Sequence, residues 1–379
     1  MGSGVHNVMS TGEKARVDWV DIAKGICIIF VVMMHSVLGV ENEAGARGWM
    51  HPVVAFAQPF RMPDFFMISG LFLGLVIGRS WLRYADRKIV HFFYFYVLWL
   101  TIQFLFKAPG IVAESGPSGA ISAYLLAFIQ PFGTLWFIYL LPVFFVVTRL
   151  VKGINVWLVL MIAAVLETLP IHTGWLVIDE FCSRFVYFFA GYAFAPAIFR
   201  LAEWLRQRPI TALLILGVWA LINGWLVFTP ASEAFAAWIP PEAYTSGGLG
   251  GWANVPLISL AAGGAGALAI VSVSALIAHM AQSWDVIVKP LRWLGAHSIV
   301  VYLAFFLPMA LARTVLLKSG IVTDIGTISL LTVISGVIGP VVLYWLIEWS
   351  GYGQFLFRRP QWAHIDRAPA PRRALASAE

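Results

Sequence analysis

Charge is scarce in this sequence. Asp, Glu, Lys and Arg make up 12% of its 379 residues, whereas soluble domains run near 25%. A soluble fold this short of charge lacks the polar side chains to cover its surface. Cysteine is scarcer still. Two residues, Cys27 and Cys182, can build neither a disulfide framework nor a four-ligand zinc site. Both lie in or beside apolar runs and read as small buried side chains. There is no internal repeat, no metal-ligand spacing and no Gly-x-Ser-x-Gly elbow. The alternating ten-residue pattern of a transmembrane β-barrel is missing too. The N-terminal stretch is polar, so no cleavable signal is expected.

Apolar residues are plentiful. The chain is 60% hydrophobic, its mean hydropathy is +0.83, and its apolar residues come in runs long enough for a bilayer, which takes about 20 residues per helix. Ten such runs are expected to span: 20–39, 55–78, 89–107, 133–149, 154–169, 184–200, 210–228, 254–282, 293–313 and 326–348. Residues 118–130 read as a short surface helix and 229–253 as an external loop. The expected fold is therefore an all-α polytopic transmembrane helix bundle of about ten transmembrane helices. It divides into a cytoplasmic N-terminal segment (1–19), a membrane domain (20–349) and a basic C-terminal tail (350–379).

The basic residues set the orientation. If the N-terminus is cytoplasmic, 18 of the 25 Lys and Arg residues fall on the inner side, among them Arg79, Arg83, Arg87, Lys88, Arg149, Arg206, Arg292, Arg358 and Arg359. Both termini are then cytoplasmic. The same bias accounts for the net charge of +6 without nucleic-acid binding.

Polar residues at membrane depth are costly and point to function. The first run holds Asp21, Lys24 and His35, and the second opens with Arg61 and Asp64 before Ser69. Arg87, Lys88 and His91 begin the third. Asp179, Glu180 and Arg184 begin the sixth, and the ninth carries His297 and Tyr302. Lys24 and His35 are 11 residues apart. They share one helical face about 16 Å apart, with Asp21 one turn before Lys24 and able to pair with it. Arg61 and Asp64, one turn apart, are expected either to neutralise each other or to serve the site. Arg184 is expected to pair with Asp179 or Glu180.

Asp21-Ile-Ala-Lys-Gly-Ile-Cys-Ile-Ile-Phe-Val-Val-Met-Met-His35 resembles the opening motif of the acyltransferase-3 family of membrane O-acyltransferases: a basic residue, ten others, then histidine. Lys at the basic position resembles the branch that includes fucose 4-O-acetylase-like proteins. Pro59-Phe-Arg-Met-Pro-Asp-Phe-Phe-Met-Ile-Ser-Gly70 is similar to the family's second-helix motif. Leu135-Trp-Phe137, Tyr187-Phe-Phe-Ala-Gly-Tyr192 and Leu294-Gly-Ala-His-Ser-Ile-Val-Val-Tyr-Leu303 follow in the family's order. The sequence departs from the pattern at Phe305, where many members carry histidine, and at Asp64, a position that is usually apolar.

The resemblance implies an inner-membrane enzyme moving an acyl group, expected to be acetyl, from cytoplasmic acyl-CoA to a hydroxyl of a sugar or cell-envelope glycan. Acyl-CoA is then a substrate, and no permanently bound cofactor or metal is expected. The remaining partners are the lipid bilayer and the glycan. His35 is the expected base, because a hydroxyl must lose its proton as it attacks, with Asp64 next in line. Lys24, Arg87 and Lys88 are the expected cations for the donor's phosphates. Ser69, Tyr302 and Arg61 are candidate oxyanion donors, and Trp136 is marked by its motif. A proton-coupled transporter or exporter is the rival reading, weakened by the lack of an inverted repeat.

Overall fold

A computed structural model describes residues 17–366 of the chain. The basic residues expected in the termini at Lys14, Arg16, Arg367, Arg372 and Arg373 lie outside them. Among the described residues there is no β-strand. The helices in chain order are α1 (Asp18–Ala44), α2 (His51–Ala57), α3 (Arg61–Gly70), α4 (Trp81–Ala85), α5 (His91–Leu126), α6 (Trp136–Val151), α7 (Val156–Thr168) and α8 (Leu176–Ala193). Then come α9 (Ala195–Arg206), α10 (Pro209–Phe228), α11 (Glu233–Ala236), α12 (Pro241–Thr245), α13 (Ile258–Ala296), α14 (Ser298–Ala304), α15 (Phe306–Ser319) and α16 (Ile325–Ser350).

All ten apolar runs are helical, in four different forms. Six segments are long and apolar enough to cross a membrane unaided: Asp18–Ala44, Trp81–Leu126, Gly133–Val151, Pro209–Phe228, Ile258–Ala281 and Ile325–Ser350. Two more qualify as bent pairs. One turns by 74° between α8 and α9, and the other by 64° between α13 and α14. The fifth run, α7, has 13 residues and is about 20 Å long, short of a bilayer core of about 30 Å. The second run is broken: Gln58–Phe60 part α2 from α3, and α3 gives way to a 3₁₀ turn at Leu73–Leu75. Gln58, Pro59, Arg61, Pro63 and Asp64 interrupt the apolar run at that break, and the two prolines are the local signal that one continuous span overlooks.

Helix α5 is broken at Gly116, where φ 72° and ψ 175° leave the helical region as glycine allows; the helical piece beyond it, to Leu126, covers most of the short helix expected at 118–130. The stretch 229–253, expected as an external loop, carries the short helices α11 and α12.

The chain forms two compact units. The first comprises the residues up to Phe72 together with Ile154–Trp345. Its axis is the pairing of α1 with α13. Asp18 and Asp21 in the first turn of α1 favour the positive end of the helix dipole, and Gly45, with φ 68°, ends the helix in the left-handed region. Small residues let α1 and α13 touch backbone to backbone: a Cβ on Gly295 would collide with the Asp21 carbonyl, and one on Gly25 would stand 2.5 Å from the Leu291 carbonyl. Helix α3 meets α8 in the same way, through Gly70 against Phe188 and Gly191 against Met67. Helix α10 turns Leu213, Leu214, Val218 and Leu221 outward, as a lipid-facing surface does.

The second unit comprises Leu73–Gly153 and residues 346–366. It holds α4, a π-helical turn at Asp86–Val90, α5 and α6. Residues 350–366 are docked onto the unit. Asp86 is buried and pairs with Arg359 at 2.6 Å, and its second oxygen accepts from the Ile365 amide at 2.8 Å. Trp99 Nε1 donates to the Leu356 carbonyl at 3.0 Å, and Arg83 bonds Asp366 at 3.1 Å.

Candidate active site

Helix α1 is unbroken from Asp18 to Ala44, so Lys24 and His35 lie on one face as their spacing requires. Lys24 stays near Asp21, with Nζ 3.9 Å from Oδ1, and its ammonium stands 5.8 Å from the Phe72 ring. His35, three turns on, packs against Phe305, ring centroids 5.5 Å apart. Phe305 is fully buried, and Tyr302 on α14 is buried beside it at 6.4 Å. The helix break at His297, which directs α14 toward α1, is held by His297 stacking on Trp293 at 4.2 Å and by its Nδ1 lying 2.9 Å from the Trp293 carbonyl.

Asp64 enters from α3 at an intermediate level. It is fully buried beside the Cys27 thiol, one turn beyond Lys24 and two turns short of His35. Neither carboxylate oxygen has a hydrogen-bond partner. Arg61, one of whose two expected roles is to neutralise Asp64, makes no direct hydrogen bond to it. Arg61 is 2% exposed, donates from Nη2 to the Ser246 carbonyl at 3.4 Å, and leaves Nε and Nη1 buried without partners. Buried polar groups in this condition are expensive, which sets this turn of α3 apart from ordinary packing. Ser69, by contrast, donates its hydroxyl proton to the Phe65 carbonyl at 2.8 Å, so its donor is already spent within α3.

A third group gathers where α7, α8 and α13 meet. Arg184 pairs with Glu180 at 3.1 Å, one of its two expected partners, while Asp179 caps the preceding turn through the Thr173 and Gly174 amides. Tyr187 is buried, and its hydroxyl donates to Glu167 Oε1 at 3.3 Å. The same oxygen accepts from Ser259 at 2.9 Å, and Glu167 Oε2 is buried without a partner. Sequence reading missed Glu167. It is one acid at the end of an apolar run, and its partners are 20 and 92 residues away. Its position at membrane depth was the one available signal.

Three of the sequence candidates belong to the second unit. Arg87 and Lys88 sit in the π-helical turn that opens α5, a feature frequent at functional sites. Arg87 is exposed, and Lys88 Nζ lies 4.3 Å from the Phe145 ring. Trp136 starts α6 directly after a 3₁₀ turn and meets Phe137 edge to face at 6.4 Å.

Comparison with known proteins bears on this arrangement. A family model described as "Acyltransferase domain" matches residues 17–349. Nodulation protein NolL of Sinorhizobium fredii is 27% identical over 217 residues, covering 56% of this chain and 57% of that protein. Inner membrane protein YcfT of Escherichia coli is 27% identical over 159 residues, covering 36% of this chain and 44% of that protein. NolL of Mesorhizobium japonicum is 25% identical over 156 residues, covering 40% and 41%. The chain thus spans about half the length of the curated relatives it matches. No solved structure matches it. The family match runs from the start of α1 nearly to the end of α16 and takes in Lys24, His35, Asp64 and Tyr302 alike; the chain is a multi-pass membrane protein that belongs to the acyltransferase-3 family.

Proposed function

We propose that this protein is an O-acyltransferase of the inner membrane that moves an acyl group, acetyl in the simplest case, from cytoplasmic acyl-CoA to a hydroxyl of a sugar or cell-envelope glycan. One observation carries the reading. A cation and an imidazole occupy one face of a single uninterrupted helix, about 16 Å apart, with the buried carboxylate of Asp64 at a level between them. That span suits a donor whose phosphates rest near Lys24 and whose extended arm carries the thioester toward His35. On the second unit, Arg87 and Lys88 offer cations of their own to phosphate. The basic bias of the connections supports a cytoplasmic position for the Lys24 end of α1, and the resemblance to an E. coli inner-membrane protein supports the inner membrane.

In the reaction, the acceptor oxygen attacks the thioester carbonyl, forming a C–O bond as the C–S bond breaks. His35 takes the hydroxyl proton during attack and delivers it to the departing thiolate, so the products are the ester and free CoA thiol. Tyr302 is the candidate donor to the developing oxyanion. The test is acetyl transfer from acetyl-CoA to membrane glycan by the purified protein, followed by mass spectrometry. Wild type should acetylate the glycan. His35→Gln keeps shape and some hydrogen bonding but cannot act as a base near neutral pH, and should lose about 10²–10⁴ in rate. Near-normal turnover in that variant would place the base elsewhere, with Asp64 next.

A further inference from the structure

Glu167 ties α7 to two other helices with one oxygen and leaves the other unused. Oε1 accepts from Ser259 on α13 and Tyr187 on α8, and Oε2 is buried with no partner. Arg61, at the start of α3, is in the complementary state: 2% exposed, with two N–H donors unpartnered. Gly263 on α13 shows that these elements converge. A Cβ there would stand 2.5 Å from the Tyr187 hydroxyl and 2.9 Å from Pro63 Cγ, so α8 and the first turn of α3 both come up against α13 at this glycine. Arg184, beside them, feels the charges of both Arg61 and Glu167.

Unsatisfied donors and acceptors of this kind are not sustained at membrane depth without something to meet them. An acyl chain would leave them as they are. An anion would be repelled by Glu167 and a cation by Arg61 and Arg184. A hydroxyl donates and accepts through one oxygen, so a neutral ligand with several hydroxyls can accept from Arg61 and donate to Glu167 at once. We propose that Arg61, Glu167 and Tyr187 form the subsite that holds a polyhydroxylated acceptor, a sugar ring. This deepens the acyltransferase reading and rests on it for the ligand's role as acceptor. The subsite lies by the C-terminal end of α7, the start of α3 and the middle of α8.

The experiment measures equilibrium binding of methyl hexopyranosides, without donor, to the full-length protein in detergent. Wild type should bind at least one of them. Glu167→Gln and Tyr187→Phe, which preserve shape and packing, should each weaken that binding about tenfold or more, as expected for loss of a buried charged or polar contact. Acetyl-CoA binding reports that each variant is folded; if Glu167→Gln fails that check, Tyr187→Phe decides. Absence of glycoside binding to wild type overturns the proposal, as does wild-type affinity in the folded variants, which is what a purely structural knot between helices predicts. Acetyl transfer is scored separately. Binding without transfer defeats the acyltransferase reading and leaves the subsite standing, whereas transfer with unaltered binding in the variants defeats the subsite alone.

Discussion

The ring of Phe305 stands 5.5 Å from the ring of His35, inclined to it by 33°. The residue that replaces the family's usual histidine is therefore the residue that walls the candidate base. In this chain His35 works against an apolar, fully buried surface where many relatives would offer a second imidazole. Phe305→Leu, a near-conservative change of volume, should cost less than about 1.5 kcal/mol and keep turnover within a few-fold. Phe305→Ala should cost about 3–5 kcal/mol, read as a lower melting temperature in detergent. Equal melting of the Ala variant and wild type would show that the wall is not packed.

Lys24 is predicted to act on donor affinity rather than on chemistry. Lys24→Ala should raise the KM for acetyl-CoA about tenfold, the size of one lost charge contact, with kcat changed little. Added salt should weaken donor binding in wild type more than in the variant, because the ammonium is partly exposed. An unchanged KM removes Lys24 from the donor site.

Close approach of α1 and α13 depends on Gly295. Gly295→Ala drives a methyl group into the Asp21 carbonyl and should sharply reduce the yield of folded protein. Gly264→Ala, on the same helix with open space around it, should be neutral or stabilise by up to about 1 kcal/mol. Comparable yields from the two variants would mean that the helices are not in backbone contact.

Asp324 caps the start of α16. Its carboxylate accepts from the Thr327 amide and hydroxyl, both at 2.7 Å, and from Trp49 Nε1 at 3.2 Å. These donors hold its pKa below the ordinary carboxylate value, the Thr327 hydroxyl being the largest cause. A depressed folded-state pKa gives stability that is fully present above the unfolded value of about 3.9 and is lost as pH falls through the folded value. Asp324→Ala should melt lower than wild type near neutral pH, with the gap closing as the medium is acidified below about pH 4. A gap independent of pH would assign the loss to packing instead.

Much of this was legible in the sequence, and the illegible parts share a cause. The ten runs, the stripe from Lys24 to His35 and the pairing of Arg184 are local patterns, set by 3.6-residue periodicity and neighbours within a turn or so. Hydropathy carries no direction, so it could not tell the straight α10 from the broken α2–α3 or from the bend between α8 and α9. It also could not predict that Arg61 and Asp64, one turn apart, make no direct hydrogen bond to each other. Glu167 stayed hidden because its partners come from other helices; nothing within a turn of it marks it as more than an interfacial acid.

The docking of Arg359 and Ile365 on Asp86 bears on the order in which the chain is made. Leu73–Gly153 emerges early from the ribosome, yet its buried Asp86 receives its cation only when residues 346–366 have been synthesised, after the whole of residues 154–345. Until then the second unit carries an uncompensated acid at the mouth of α5, a state costly enough to keep it open. Its completion therefore waits for residues made long after its own first helices. A transcript truncated just short of Arg359 would encode all the expected spans and still yield a protein with one unit unfinished, recognisable to quality control by that single unmet charge.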